Sequence, residues 1–142
     1  MKTNKELLCS LLKTAQMGQI GIRSVLDTTM EPGLRSALHQ QLREYDAIET
    51  EAQAIACQRG WELTEVDPAM RFLTDRMMRF RLTGNDTGSR IADLMIQGNT
   101  RGMIRELRNL HRADSDDHRI RTLSQKLLDC QRAGIRQMQS FL

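Results

Sequence analysis

The sequence predicts an all-α protein in which four long helices pack side by side as a four-helix bundle. Four segments of roughly two dozen residues each carry apolar side chains at helical spacing, as expected for helices that share one core. The 142 residues include only two prolines and five aromatic side chains, which argues against a β-sandwich or barrel. A chain of this length suits one domain, covering residues 1–142.

The first two helices form a predicted antiparallel hairpin over residues 4–59. A capping-box pattern at Thr3 and Glu6 places the first helix start at Asn4 or Lys5, and this helix ends near Thr28. Pro32 suits the first turn of the second helix, and Gly60 is placed to end it in a left-handed conformation.

A crossover over residues 60–86 is expected to carry the chain along the bundle, so that the third long helix runs parallel to the second. Asp67 and Pro68 read as the N-cap and first residue of a shorter helix. The apolar residues of this shorter amphipathic helix are Met70, Leu73, Met77 and Phe80. Trp61 is expected to be a packing anchor at the end of the bundle.

A second hairpin is predicted over residues 87–142. Its first helix runs from about Thr87 to His111. Residues 114–117, three of which are aspartates, supply a turn and favourable charge at the start of the last helix. The apolar stripe of the third long helix is read as Ala92, Met95, Ile96, Met103, Leu107 and Leu110. Asn99 lies within that stripe.

Composition limits the compartment and the partners. No apolar run is long enough to span a membrane, and the first residues lack a secretory pattern, so we expect a cytoplasmic protein without a membrane partner. Cys9, Cys57 and Cys130 are far apart in sequence and read as structural thiols. The net charge is +3, and 17 of the 21 basic residues are arginine.

Four arginines define a stripe along one face of the third long helix, opposite its apolar positions. They are Arg101, Arg105, Arg108 and Arg112. A solvated outer face is the ordinary meaning of such a run. A basic interaction surface is the alternative, although the aromatic side chains that would stack on nucleic-acid bases are missing nearby.

The sequence offers no recognisable catalytic motif or cofactor loop, so neither enzymatic activity nor a cofactor is predicted. His111, Asp114 and His118 have spacings that a metal could use on a continuous helix. They fall in a predicted turn, however, and read as an exposed capping region. His39 lies off the central seam of its helix and is expected at the surface.

Four short motifs within residues 5–80 are the helix start at 32–38, Glu44-Tyr45-Asp46, Arg59-Gly60-Trp61 and Asp67-Pro68. With these motifs, residues 5–80 resemble the spore coat protein F family. That family belongs to the ferritin-like superfamily, so the resemblance implies a ferritin-like four-helix bundle and a possible place in the spore coat.

Ferritin-like proteins with a di-iron centre place one Glu on each of two helices and a Glu-x-x-His on each of the other two. By resemblance, the single-carboxylate places fall on Gln19 and Asn99, and one Glu-x-x-His place falls on Gln41 to Glu44. The remaining place falls near Leu123 and Leu127. Neutral amides cannot offset the charge of two irons, so the sequence predicts a degenerate site without metal.

The three amides suggest a structural role instead. If Gln19, Gln41 and Asn99 meet at one level of the core, they must hydrogen-bond one another, Tyr45 or a trapped water, because an unpaired buried amide costs about 1–3 kcal/mol. Such a layer would fix the helix register. The alternative is that one or more of the amides faces solvent.

Three functions are compatible with these observations. The leading hypothesis is a non-catalytic bundle that acts in assembly or protein interaction, as a homodimer or with a coat partner. The second is an iron or manganese oxidase or storage protein with a rearranged site, drawn from Glu44, Asp46, His111, Asp114 and His118. The third is a binder of nucleic acid or an acidic partner through the arginine stripe.

Overall fold

The computed structural model describes residues 2–84, 86–113 and 116–142, and these residues form helices without a β-strand. The all-α prediction is therefore confirmed. Five helices follow one another along the chain: α1 Asn4–Leu26, α2 Pro32–Arg59, α3 Pro68–Arg81, α4 Thr87–Arg112 and α5 His118–Gln139.

The helix ends lie where the sequence signals place them. The Thr3 hydroxyl accepts a hydrogen bond from the backbone N–H of Glu6, and the Glu6 carboxylate accepts one from that of Thr3, which completes the predicted capping box. Gly60 ends α2 with a φ of 68°, a left-handed conformation that glycine adopts without steric cost. The Asp67 carboxylate accepts a hydrogen bond from Ala69 N–H at the start of α3.

The four long helices surround one core, and each has two long-helix neighbours with extensive contact. Helix α1 packs against α2 and α4, while α5 packs against the other sides of α2 and α4. The Asn109 amide, near the end of α4, donates to the Ser10 hydroxyl near the start of α1, so these helices are antiparallel. Arg59, at the end of α2, pairs with Asp117 before α5, which makes that pair antiparallel as well.

Helices α2 and α4 run in the same direction on opposite corners of this arrangement. Gly88, at the start of α4, lies close to Leu34 at the start of α2: a Cβ on Gly88 would be 3.9 Å from Leu34 Cδ2. The crossover therefore returns the chain to the end at which α2 began, as the sequence predicts for a third long helix parallel to the second.

The inward face of α4 differs from the predicted stripe. Ile91, Ala92, Met95 and Asn99 are buried, but the last turns bury Glu106 and Asn109, whereas the predicted Met103, Leu107 and Leu110 are only half-buried. The reason is polar pairing, because Glu106 accepts a hydrogen bond from the Ser124 hydroxyl at 2.8 Å and Asn109 binds Ser10. The hydrophobic pattern of the sequence alone does not predict which side chains of α4 point inward in its last turns.

Helix α3 lies on the outside of the molecule. It packs against α1, where Arg79 forms an ion pair with Asp27 at 3.1 Å, and none of its residues is buried. Trp61 and Leu63 of the preceding segment pack against the core, as expected for Trp61. None of the helices in the described part of the chain is both long and apolar enough to cross a lipid bilayer.

Candidate functional site

Three buried polar side chains and a half-buried one lie together within the helical core. We call Gln41, Tyr45, Asn99 and Gln137 the core polar cluster. The Tyr45 hydroxyl donates to Asn99 Oδ1 at 2.5 Å, and Gln41 Nε2 donates to Gln137 Oε1 at 3.1 Å. The Asn99 and Gln41 amides lie against Gly134 of α5, where a Cβ would be 2.7 Å from Asn99 Nδ2 and 3.2 Å from Gln41 Oε1. The glycine backbone thus makes room for two amides in a packed interior.

Gln19 is buried as well, but its hydrogen bonds are made elsewhere. Its Nε2 donates to Asp46 at 2.9 Å and to Glu49 at 3.4 Å, both on α2. Gln16, one turn earlier, donates to the same Glu49 carboxylate at 2.9 Å. The structure therefore brings Gln41 and Asn99 together with Tyr45, and it pairs Gln19 with acidic side chains along the α1–α2 contact.

Tyr45 is held in its neutral form at this position. Burial raises the pKa of its phenol well above the usual range, and the negative charge of Glu44 adds to the effect. The hydroxyl is therefore a permanent hydrogen-bond donor to Asn99 at physiological pH. The Tyr45 ring also lies against Gly18 of α1, where a Cβ would come within 2.7 Å of ring atom Cε2.

Three further polar residues of the core escaped the sequence analysis. Thr14, Glu106 and Gln131 are buried, and Thr14 Oγ1, Glu106 Oε2 and Gln131 Oε1 have no hydrogen-bond partner among the described residues. Burial raises the pKa of Glu106, although the hydrogen bond from Ser124 opposes the shift. The signal that could have found Glu106 is its spacing of seven from Asn99, which places both on one helix face.

The residues present do not fit a di-iron centre. Gln41 and Asn99 are neutral and already hydrogen-bonded, and Leu123 and Leu127 are buried apolar side chains. Glu44 is half-buried beside Cys130, where burial and the Glu44 charge raise the pKa of the thiol to about 11. Within residues 2–84, 86–113 and 116–142, no group of three or more His, Cys, Asp and Glu side chains is placed to hold a metal ion.

The candidate ligands of a rearranged metal site are dispersed. His111 and His118 are exposed, and Asp114 lies outside the described residues. Asp46 accepts the hydrogen bond from Gln19 and lies 3.5 Å from Arg23. His39 is exposed, as expected.

The arginine stripe lies at the surface of α4. Arg101, Arg105, Arg108 and Arg112 are all exposed, and none of them takes part in the ion pairs found among the described residues. Lys2 lies beside the same surface and adds to its positive charge.

Helix α3 carries five of the seven large apolar side chains that are exposed among the described residues. Phe80 is 76% exposed, Phe72 64% and Leu73 59%, and Met70 and Met77 are about half exposed. We call these five residues the α3 apolar face.

No protein-family model, curated protein or solved structure matches the chain.

Proposed function

We propose that this chain is a non-catalytic, ferritin-like four-helix bundle that acts by binding another protein through the α3 apolar face. The observation that carries the proposal is the exposure of that face: its five large apolar side chains contact too little of the chain to be buried. Large exposed apolar side chains grouped on one helix in this way mark interaction sites in folded proteins.

The ferritin-like part of the proposal is supported by the helix directions. Helices α1 and α5 run one way and α2 and α4 the other, with antiparallel neighbours and parallel diagonals. One long crossover between the second and third long helices gives this arrangement, which is the connection that ferritin-like folds use. The resemblance of residues 5–80 to the spore coat protein F family makes a spore-coat protein one candidate partner.

The charge on α3 indicates the chemistry of the partner. The helix carries Arg71, Arg76, Arg79 and Arg81 but only one acidic residue, Asp75, which is paired with Arg79 at 3.0 Å. A binding segment with apolar residues on one face and Asp or Glu around them would complement this surface in both hydrophobicity and charge. We therefore propose an acidic amphipathic helix of another protein as the occupant.

The residue types on α3 favour a protein over a lipid surface. Phenylalanine, methionine and arginine are enriched in protein interfaces, whereas lysine is depleted there, and α3 contains no lysine. A second copy of the chain would bring two arginine-rich helices together, which like-charge repulsion opposes. The homodimer predicted from the sequence would therefore use another outer face.

Binding to a short acidic amphipathic peptide tests the proposal. A fluorescein-labelled peptide with leucines at helical spacing and glutamates between them is titrated with the protein, and its anisotropy is followed at low and physiological salt. We expect saturable binding that weakens with salt. The double variant Phe72→Ser with Phe80→Ser should bind about tenfold more weakly or worse.

The matched control is Ile104→Ser, which removes an exposed apolar side chain from α4 outside the α3 apolar face. It should bind like the wild type. A scrambled peptide that binds equally well, or Phe72 and Phe80 variants with unchanged affinity, would overturn the proposal. Binding to anionic vesicles that the two serine substitutions abolish would also overturn the proposal. A dimer that light scattering detects in the wild type and not in this variant would do the same, because either result assigns α3 another occupant.

A further inference from the structure

A cavity of about 340 Å³ lies between α1, α3 and α4. It reaches inward to the core polar cluster at Gln41, Tyr45 and Asn99, and it is open to solvent along one side of α3. Its volume is within the range of protein sites that bind small organic molecules. An engineered apolar cavity of about 150 Å³ binds benzene, so the space here suits a larger ligand.

The walls of the cavity are mostly apolar and adaptable. The side chains that line them include Met17, Ile22, Met70, Met78, Leu94 and Met95. Methionine adjusts its shape to different apolar ligands more easily than branched side chains do. Gly98 leaves the wall open, because a Cβ at this position would meet no atom within 4 Å.

One end of the cavity is polar. Thr14 and Gln131 are 5% and 1% exposed, and they meet at Gly102, where a Cβ would be 3.2 Å from Thr14 Cγ2 and 2.5 Å from Gln131 Nε2. Thr14 Oγ1 and Gln131 Oε1 have no hydrogen-bond partner among the described residues. Arg101 and Arg105, on either side of Gly102, line the same cavity from the surface.

These groups define the ligand by its chemistry. Thr14 Oγ1 and Gln131 Oε1 are themselves sealed from solvent, and an amide oxygen accepts hydrogen bonds, so neither atom is the donor for an anionic ligand. The guanidinium groups of Arg101 and Arg105 supply hydrogen-bond donors together with positive charge. Donors and positive charge at one end of an apolar chamber suit a molecule with an anionic head and an apolar body.

We propose that this cavity binds an amphipathic monocarboxylate, with its carboxylate beside Arg101 and Arg105. The hydrocarbon chain lies along Met17 and Met95 toward the apolar end. Met70 and Met77 belong both to the cavity and to the α3 apolar face, whereas Phe72 and Phe80 do not line the cavity. Substitution of Phe72 and Phe80 therefore tests the proposed protein partner separately from this ligand.

Methionine methyl groups report binding directly. The protein is labelled with ¹³C at the methionine methyl groups and titrated with decanoate, and the NMR spectra are recorded. Met17, Met70, Met77, Met78 and Met95 line the cavity, whereas Met30 and Met138 do not. We expect saturable shifts of the first five resonances and unchanged positions for the last two.

Two pairs of variants localise the ligand. Gly21→Leu adds a side chain beside Met95, whose methyl carbon would lie 4.0 Å from the new Cβ, and should weaken decanoate binding by about tenfold or more. Gly21→Ala leaves most of the space and should bind like the wild type. Replacing both Arg101 and Arg105 by Gln should weaken decanoate binding by about two- to fivefold for each charge removed. The same change at Arg108 and Arg112, which do not line the cavity, should have no effect.

The neutral analogue decanol separates the head group from the chain. Its binding should be weaker than that of decanoate and insensitive to the arginine substitutions. The absence of saturable methyl shifts with decanoate would overturn the proposal. Shifts that persist in Gly21→Leu would also overturn it, and so would equal loss of decanoate binding in the two arginine double variants.

Discussion

The hydroxyl of Tyr45 on α2 donates a hydrogen bond to Oδ1 of Asn99 on α4, and both side chains are buried in the centre of the protein. The two helices lie on opposite corners of the four-helix arrangement, so this bond joins them across the core. A single polar contact in an apolar interior penalises every rotation or shift of either helix that would break it. We therefore expect this pair to fix the helix register, the role that the sequence analysis proposed for a layer of amides.

Removing the Tyr45 hydroxyl should destabilise the protein more than the loss of one ordinary hydrogen bond. Tyr45→Phe leaves Asn99 Oδ1 buried without its donor, and we expect the free energy of unfolding to fall by about 1–3 kcal/mol. Urea denaturation measures the change. Tyr45→Phe combined with Asn99→Leu should cost less than the sum of the two single changes, and strict additivity would show that the pair is not coupled.

Alanine substitution should change the stability in opposite directions at Gly18 and Gly98, the two glycines that each precede a side-chain amide. Gly18→Ala places a Cβ 2.8 Å from Tyr45 Cζ, so the ring must move, and we expect a loss of about 1–3 kcal/mol of stability. Gly98→Ala meets no atom within 4 Å and should gain about 0.5–1 kcal/mol from helix propensity. Thermal unfolding of the pair checks this prediction, and equal effects would contradict the packing of Tyr45 on α1.

Glu106 should make stability depend on pH. Because burial raises its pKa in the folded state, protonation favours folding. This contribution is complete below the ordinary pKa of glutamate and is lost as pH rises through the raised value. Glu106→Gln should therefore stabilise the protein at pH 8, and the gain should shrink as the pH approaches 4. Denaturation of both proteins across this range is the measurement, with Glu62→Gln at an exposed site as the control.

Cys130 should be alkylated slowly at neutral pH. With a pKa raised to about 11 by burial and by Glu44, only about one thiol in a thousand is ionised at pH 8. Its rate of reaction with iodoacetamide should rise until the pH approaches 11, and Glu44→Gln should accelerate it at pH 8. Mass spectrometry of the modified peptides follows the rate, with exposed Cys57 as the internal reference. A Cys130 rate that is flat above pH 8 would be inconsistent with the raised pKa.

The helices were predictable because their ends carry local signals. Thr3 with Glu6, Gly60, and Asp67 with Pro68 act through their nearest neighbours, so the sequence alone places them. The polar contacts across the core were not predictable in the same way. Gln19 and Gln41 both interrupt apolar stripes, yet one binds acidic residues and the other binds Gln137, and that choice depends on the rotation of the neighbouring helices.

The exposure of the α3 apolar face was also not predictable from the hydrophobic pattern. Met70, Leu73, Met77 and Phe80 have the spacing of a helix that buries one side. The spacing does not show that the described part of the chain leaves each of them about half exposed or more. The cavity beneath α3 was not predictable from the sequence for the same reason. It depends on where the crossover helix lies on α1, which is a property of the assembled fold.

Hydrogen exchange in the presence of the acidic amphipathic peptide tests the central claim most directly. Amides of residues 68–81 are followed by mass spectrometry with and without peptide, in the wild type and in Phe72→Ser with Phe80→Ser. We predict that the peptide slows exchange in α3 of the wild type and leaves the variant unchanged. Protection confined to α2 or α5, or the same protection of α3 in both proteins, would contradict the assignment of this face as the binding surface.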